Sequence, residues 1–391
     1  MEARSDDLGW FSLGRQPEEP FGPEGSTLAG PDLERWIAAF RPLTGYLRRR
    51  EVVLALSGGG MALPCHVSVL RVLELLSIRI TRVYGTSAGA VIGGLYAAGL
   101  GVPELERAML GIESPDEIFG FAARYPTFRL LTGAVRRKLL GATLEESGIY
   151  DVQTVEGYVE RTLHATVGRV PFMKDLETPF TAIACDIGTG EPDSGHAEFA
   201  RKSLFSNDTT PNLKLSDAIA ASMSIPGVFT PKKIRGRFHI DGGPVELVPM
   251  MTAREDWLAR RNRGGRKKLA IIAVDLSYGG ETLSAERLSH PIDLAMYSND
   301  LRGRILNQYA LLQCHRPRSG SSVILVRPKT IEIGLSEVEK IPRALFTSYV
   351  ETVRQLRGAG FLDTTLEELR CARRQLCLSR KERRRWWRLF G

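Results

Sequence analysis

The stretch Val52-Val-Leu-Ala-Leu56-Ser57-Gly58-Gly59-Gly60 is followed about 25 residues later by Ile80-Thr-Arg-Val-Tyr84-Gly85-Thr86-Ser87-Ala88-Gly89, and this pair decides the reading of the chain. Each half is a short, largely β-branched or apolar run that ends in a glycine-rich turn. Helix-like patterns follow both turns, over Cys65–Leu76 and Ala90–Ala98. An unbroken apolar run of this length is the pattern of a strand covered on both faces. Strand, turn, helix and strand in succession make a βαβ unit, whose crossover is right-handed. Such a unit brings both glycine turns to the carboxyl edge of adjacent strands, where open α/β sheets hold their sites.

Working outward, Phe180–Cys185, Arg237–Ile240 and Leu269–Val274 read as further strands, and Val155–Thr166 as an amphipathic helix. Alternation of this kind predicts a doubly wound α/β sheet. No internal repeat is visible. The chain divides into a polar leader with a short helix (Asp32–Phe40) over residues 1–50, an α/β domain over 51–328, and a helical extension over 329–391 that ends in a basic tail.

Hydrophobic residues make up 43% and charged residues 25% of the 391, a globular balance with ample material for a core. The formal net charge of +8 is local. Arg370 to Gly391 holds nine Lys/Arg and one Glu, which leaves the rest of the chain neutral. Met1–Gly30 has no apolar stretch of the signal-peptide kind. No run reaches the roughly 18 uncharged apolar residues of a membrane span, and Ala88–Val102 reads as a buried helix. Five scattered cysteines form no CxxC pair and no zinc spacing, which suits reduced thiols. These features predict a cytoplasmic protein, peripheral wherever it meets a membrane, with no metal and no cofactor.

Three consecutive glycines at 58–60, ahead of a helix, let backbone N–H groups approach a phosphate or a developing oxyanion. The nucleotide motifs GxxxxGK[ST] and GxGxxG are both missing from this loop. Gly85-Thr86-Ser87-Ala88-Gly89 is a GxSxG segment. Chance alone yields roughly 0.3 matches to it in a chain of this length, so its placement between strand and helix carries the weight. In a nucleophile elbow the Ser sits in a strained turn and larger flanking side chains would clash with backbone. A Ser nucleophile needs a base. Of the six histidines, His290 and His315 fit the chain order of an ordinary triad, and His66 reads as a packed, hydrogen-bonded helix residue. Asp241, after the strand Arg237–Ile240 and before Gly242-Gly243, is better placed, although Asp-Gly-Gly alone is often only a turn.

Gly58-Gly59-Gly60, Gly85-Thr86-Ser87-Ala88-Gly89 and Asp241-Gly242-Gly243, in that order, resemble the patatin-like phospholipase family. Thr178–Asp186 with Gly188-Thr-Gly-Glu191, and Leu215–Pro231, are similar to further family segments, so the resemblance spans roughly Glu51 to Val274. It implies a three-layer α/β/α fold with a mainly parallel sheet. It also implies a Ser87–Asp241 dyad, an oxyanion hole from the backbone of Gly58, Gly59, Gly60 and Ala88, and small turn residues at Gly85, Gly89, Gly242 and Gly243. The implied activity is lipid acyl hydrolysis of the phospholipase A or lysophospholipase type on lipid acyl esters. Triacylglycerol lipase, transacylase and a catalytically weak, membrane-bound scaffold stand as alternatives.

In one place the chain departs from the family pattern. The usual loop Gly-Gly-Gly-x-Arg/Lys-Gly is here Gly58-Gly59-Gly60-Met61-Ala62-Leu63. The pattern predicts that Arg at position 62 and Gly at 63 would be accommodated. At the far end, Arg373, Arg374, Arg380, Lys381, Arg383, Arg384, Arg385 and Arg388 run into Trp386, Trp387, Leu389 and Phe390. Basic residues beside Trp and Phe suit the headgroup layer of an anionic membrane, and no nucleic-acid fold accompanies them.

Overall fold

The computed structural model describes residues 31–119, 148–189, 201–265, 267–277, 291–329, 331, 333, 334 and 337–375. Its strands are β1 (Arg50–Leu56), β2 (Arg82–Thr86), β3 (Phe180–Gly188), β4 (Arg201–Ser206), β5 (Lys232–Ile234), β6 (Arg237–Asp241), β7 (Lys268–Val274) and β8 (Ser321–Val326). Its main helices are α1 (Pro31–Ala38), α2 (Arg41–Leu47), α3 (Leu63–Leu75), α4 (Ala88–Ala97), α5 (Val102–Leu110), α6 (Gln153–Val167), α7 (Leu215–Met223), α8 (Met250–Asn262), α9 (Pro291–Cys314), α10 (Ile341–Leu356) and α11 (Asp363–Gln375).

The sheet runs β5-β6-β3-β2-β1-β7-β8, with β4 paired to β3. The five strands β3-β2-β1-β7-β8 are parallel, whereas β4, β5 and β6 are antiparallel additions. Chain order reverses at β1, which lies between β2 and β7. This is the switch point outside which sites of such sheets form.

Strand periodicity separates two cores. On β1, Val52, Leu54 and Leu56 join one cluster while Val53 and Ala55 join the other. On β7, Ala270, Ile272 and Val274 face the first, and Leu269, Ile271 and Ala273 the second. Side chains that alternate in this way, buried on both faces, require a helical layer on each side. Residues of α2 to α7 and α10 fill one layer, and residues of α8, α9 and α11 the other. The fold is therefore three-layer α/β/α.

The helices at both ends of the chain share these cores. Trp36, Phe40 and Leu43 are buried in the first cluster. The α10 residues pack on α3, where Ser68 Oγ donates to Leu345 O at 2.7 Å and Ser348 Oγ to Cys65 Sγ at 3.0 Å. Between α3 and α5, Arg71 and Glu106 form a two-pronged buried ion pair, both bonds 2.8 Å. Among the described residues no helix is long and apolar enough to cross a membrane, and Cys65, Cys185, Cys314 and Cys371 take part in no disulfide. Cys377, His196, His290 and tail residues 376–391 lie outside the described residues.

Candidate active site

Ser87 ends the turn from β2 into α4 with φ 53° and ψ −121°, a conformation side chains rarely adopt. Holding a non-glycine residue there costs about 1–3 kcal/mol. The flanking glycines are explained by close approach. A Cβ on Gly85 would sit 2.4 Å from the Gly89 carbonyl oxygen, and one on Gly89 would sit 2.3 Å from that of Leu56. Each glycine makes room for backbone, as a nucleophile elbow requires.

The registers place Asp241 at the same turn. β4 covers one edge of β3 from Thr181 to Asp186. The other edge is shared: β2 occupies it up to Thr86↔Ile183, and β6 arrives from the opposite direction and ends at Asp241↔Ala184. The carboxyl ends of β2 and β6 therefore meet on consecutive residues of β3. Gly242 confirms the closeness, because a Cβ there would lie 3.1 Å from Thr86 Cγ2 and 2.3 Å from Ile183 O. On the other side, a Cβ on Gly58 would lie 3.3 Å from Ser87 Cβ. Three segments far apart in the chain thus converge on Ser87.

Residues 222–224 clamp this junction. Ser222 Oγ accepts the Ser87 N–H at 2.9 Å and donates to Ile183 O at 2.5 Å. The Ser87 hydroxyl donates to Met223 Sδ at 3.5 Å and makes no hydrogen bond to Asp241 in this state. Ser224 O accepts the Asp241 N–H at 2.9 Å, and Gly243 N–H donates to Asp241 Oδ1 at 2.7 Å. Ser87 and Asp241 are both buried, at 3% and 5% exposure.

Ser57 anchors the glycine loop. Its N–H donates to Val274 O and its hydroxyl accepts the Leu276 N–H, fixing the loop across the switch point. Its carbonyl accepts both the Gly89 N–H at 3.0 Å and the His66 Nε2–H at 2.9 Å. His66 is fully buried, and burial pushes its pKa down to about 4 although the Ser57 carbonyl favours the cation. Gly58 N–H is committed to Leu247 O at 3.1 Å, so Gly58 contributes close approach to Ser87 and no free donor. Gly60, at φ 54°, opens a short 3₁₀ turn (Gly60–Ala62) capped by Gly59, and Ala88 is the first residue of α4. Donors at such first turns have no intrahelical acceptor, which leaves Gly59, Gly60 and Ala88 as candidates for an incoming oxygen.

Of the described histidines none hydrogen-bonds to Ser87. His315 Nδ1 lies 3.2 Å from the backbone of Val323, and His164 stands exposed on α6. His239 shares the β6 edge with Asp241 and packs against Phe205; burial lowers its pKa against the pull of Asp186. Burial opposes ionisation of Asp186 too. Hydrogen bonds from Arg237 and Gly188 outweigh it and hold that carboxyl below the usual range.

Beside Ser87 lies a wholly apolar pocket of about 20 Å³, bounded by the glycine loop (Gly60, Met61, Leu63), by α4 to α6, and by Met223 and Phe229. The departing residues of the loop belong to the core: Met61, Ala62 and Leu63 are 3%, 2% and 4% exposed. The expectation that an arginine is accommodated at 62 is thereby corrected, since a guanidinium there would enter an apolar cluster. Ser222, Met223 and Leu247 were not singled out by the sequence. The first two lie in the Leu215–Pro231 segment, whose likeness to the family was the available signal.

The family model described as patatin-like phospholipase matches residues 54–254. An uncharacterized NTE family protein of Mycobacterium tuberculosis is 30% identical over 200 residues, covering 51% of this chain and 44% of its own. The chain thus spans under half the length of that relative. A probable lipid hydrolase of Invertebrate iridescent virus 6 is 25% identical over 225 residues, covering 56% of this chain and 68% of the viral protein. Among solved structures, VipD from Legionella pneumophila aligns with a TM-score of 0.42 at 15% identity, over 79% of this chain and 67% of that one. The matched residues run from β1 through the glycine loop, the Ser87 elbow and the Asp241 strand into α8, and the chain belongs to the patatin-like phospholipase family.

Proposed function

We propose that this chain is a serine lipid acyl hydrolase of the phospholipase A or lysophospholipase type, acting through Ser87 and Asp241. The observation that carries the reading is the meeting of β2 and β6 on Ile183 and Ala184, which brings the two residues to one junction. In the reacting state the Ser87 hydroxyl turns from Met223 Sδ to the Asp241 carboxylate. Its oxygen attacks the ester carbonyl carbon while Asp241 takes its proton. The carbonyl oxygen becomes an oxyanion facing the N–H groups of Gly59, Gly60 and Ala88. Collapse expels the alcohol, which receives the proton from Asp241, and leaves an acyl group on Ser87. Asp241 then deprotonates a water that attacks the acyl carbon, releasing the fatty acid and restoring the Ser87 hydroxyl.

The apolar packing of Met61, Ala62 and Leu63 favours an active enzyme over a scaffold, because the loop retains a buried support in place of the family's basic residue. The basic segment from Arg370 onward would hold the enzyme at an anionic lipid surface. A fluorophosphonate should label Ser87, and on a panel of phospholipids, lysophospholipids and triacylglycerols the wild type should cleave the phospholipids or lysophospholipids in preference to the triacylglycerols. Ser87→Ala should lose all labelling, and Asp241→Asn should be comparably inactive because an amide accepts no proton. More than a few per cent residual hydrolysis in Ser87→Ala would refute the assignment.

A further inference from the structure

The space where an acyl chain would lie is small, and Met223 lies between it and Ser87. The pocket beside Ser87 measures about 20 Å³, which on this measure is room for about one water, for which about 10–15 Å³ suffices, and far short of a fatty chain. Its lining is apolar throughout, and it contains Met61, Met109 and Met223, three of the eight methionines in the chain. Methionine is the most deformable apolar side chain, with an unbranched stem and a polarizable sulfur. A wall made this way yields to an entering ligand more readily than one of Val or Ile.

Met223 stands between this pocket and the nucleophile. Its sulfur is 3.5 Å from Ser87 Oγ, which is already the separation of reacting atoms in an attack-ready complex, about 3–3.5 Å. An ester cannot approach Ser87 from the pocket side while the thioether stays there. Met223 is also the last residue of α7, and the backbone leaves helical geometry at Ser224 (φ −71°, ψ 67°). Its two neighbours are pinned. Ser222 is tied to Ser87 and Ile183, Ser224 Oγ donates to Ala220 O at 2.9 Å, and Ser224 O holds the Asp241 N–H. The backbone that positions nucleophile and base is thus fixed, and rotation about the Met223 side-chain bonds is the motion left to it.

We propose that Met223 is the gate of the acyl site: the fatty chain of the ester displaces its side chain, enters the methionine-lined pocket, and is selected for length by the room this yields. The inference rests on the reading of Ser87 as nucleophile. Displacement also frees the Ser87 hydroxyl from the sulfur, so chain entry and release of the nucleophile are one event.

The test compares kcat/KM for p-nitrophenyl dodecanoate and p-nitrophenyl butyrate, with fluorophosphonate labelling of Ser87 measured in parallel on folded protein. Met223→Ala removes the gate and should raise the dodecanoate-to-butyrate ratio by about tenfold or more, since a single methylene in an apolar pocket already discriminates by at least about that factor. Met223→Phe should lower the ratio by a similar factor while butyrate is still cleaved. A fold lost in Met223→Ala leaves the question to Met223→Leu, a volume-conserving swap whose branched end turns less freely, which should also lower the ratio. Ratios within twofold of wild type in the folded variants, with Ser87 still labelled, would overturn the gate and leave the nucleophile standing. A wild type that neither labels nor hydrolyses would instead overturn the assignment of Ser87.

Discussion

The most quantitative expectation concerns His66, which holds the loop beside Ser87 without touching the chemistry. Its ordinary pKa is 6.5, and burial lowers this to about 4 in the folded chain. As pH falls, the unfolded chain takes up the proton first, so folding stability declines. The His66 contribution is fully present above pH 6.5 and is lost progressively toward pH 4. A difference of this size corresponds to about 3 kcal/mol, a large part of the stability of an ordinary domain. The perturbation is His66→Gln, whose amide keeps an N–H donor for the Ser57 carbonyl and does not titrate in this range. The assay is urea denaturation of both proteins at pH 7.5 and 4.5. The variant should start out less stable, because a glutamine fills an imidazole's place imperfectly. The stability gap should then shrink by about 2–3 kcal/mol on acidification, since only the wild type loses the His66 contribution. A gap of the same size at both pH values would refute the claim that His66 is buried neutral against Ser57.

Further outcomes can be measured with simple variants. Ser87→Gly should be more stable than Ser87→Ala by about 1 kcal/mol in denaturant titration, because relief of the φ 53° strain exceeds the extra entropy of glycine in the unfolded chain; the reverse order would show the turn to be unstrained. Ala62→Arg should cost about 3 kcal/mol or more and lower soluble yield, because a charge enters an apolar cluster; wild-type stability would mean that the side chain escapes to solvent. Deleting residues 380–391 removes six basic groups and should weaken binding to anionic liposomes at least tenfold, with added salt mimicking the deletion and a soluble short-chain ester still cleaved; unchanged sedimentation with liposomes would reject the membrane role of the tail.

What could be read without coordinates was whatever repeats within a few residues. The runs Val52–Leu56, Ile80–Tyr84, Phe180–Cys185 and Leu269–Val274 are each a strand within two or three residues, since an unbroken apolar run has few other stable fates. The glycines of the elbow were legible because backbone at 85 and 89 leaves no room for a Cβ. β4 and β5 were missed because Arg201–Ser206 and Lys232–Ile234 are too polar and too short to show a period. β8 was missed for another reason, since Ser321 and Ser322 open it and only four of its six residues carry the apolar signal. The direction of β6 was invisible too. Parallel and antiparallel strands differ in their partners, and partners are a tertiary property.

The same distinction explains how the altered glycine loop is held. A basic side chain after the glycines is a support that a sequence pattern displays, and position 62 holds alanine in its place. The supports present are of kinds a pattern does not display. Ser57 ties the loop to β7 through its N–H, to Leu276 through its hydroxyl, and to α4 and His66 through its carbonyl. Met61, Ala62 and Leu63 then seal the loop from below by burial. Backbone hydrogen bonds at a buried site are costly to leave unmade, so a loop with its donors and acceptors engaged on three sides has little freedom to open. Donors meant for an oxyanion must be fixed before the charge develops, because their value lies in needing no reorganisation. A loop fixed by its own backbone and by apolar packing meets that condition without the arginine, and Met61 and Leu63, which lend it that packing, also line the pocket beside Ser87. Support of the loop and the shape of the neighbouring pocket are thus carried by the same residues, so a change at 61 or 63 should move catalytic rate and acyl preference together.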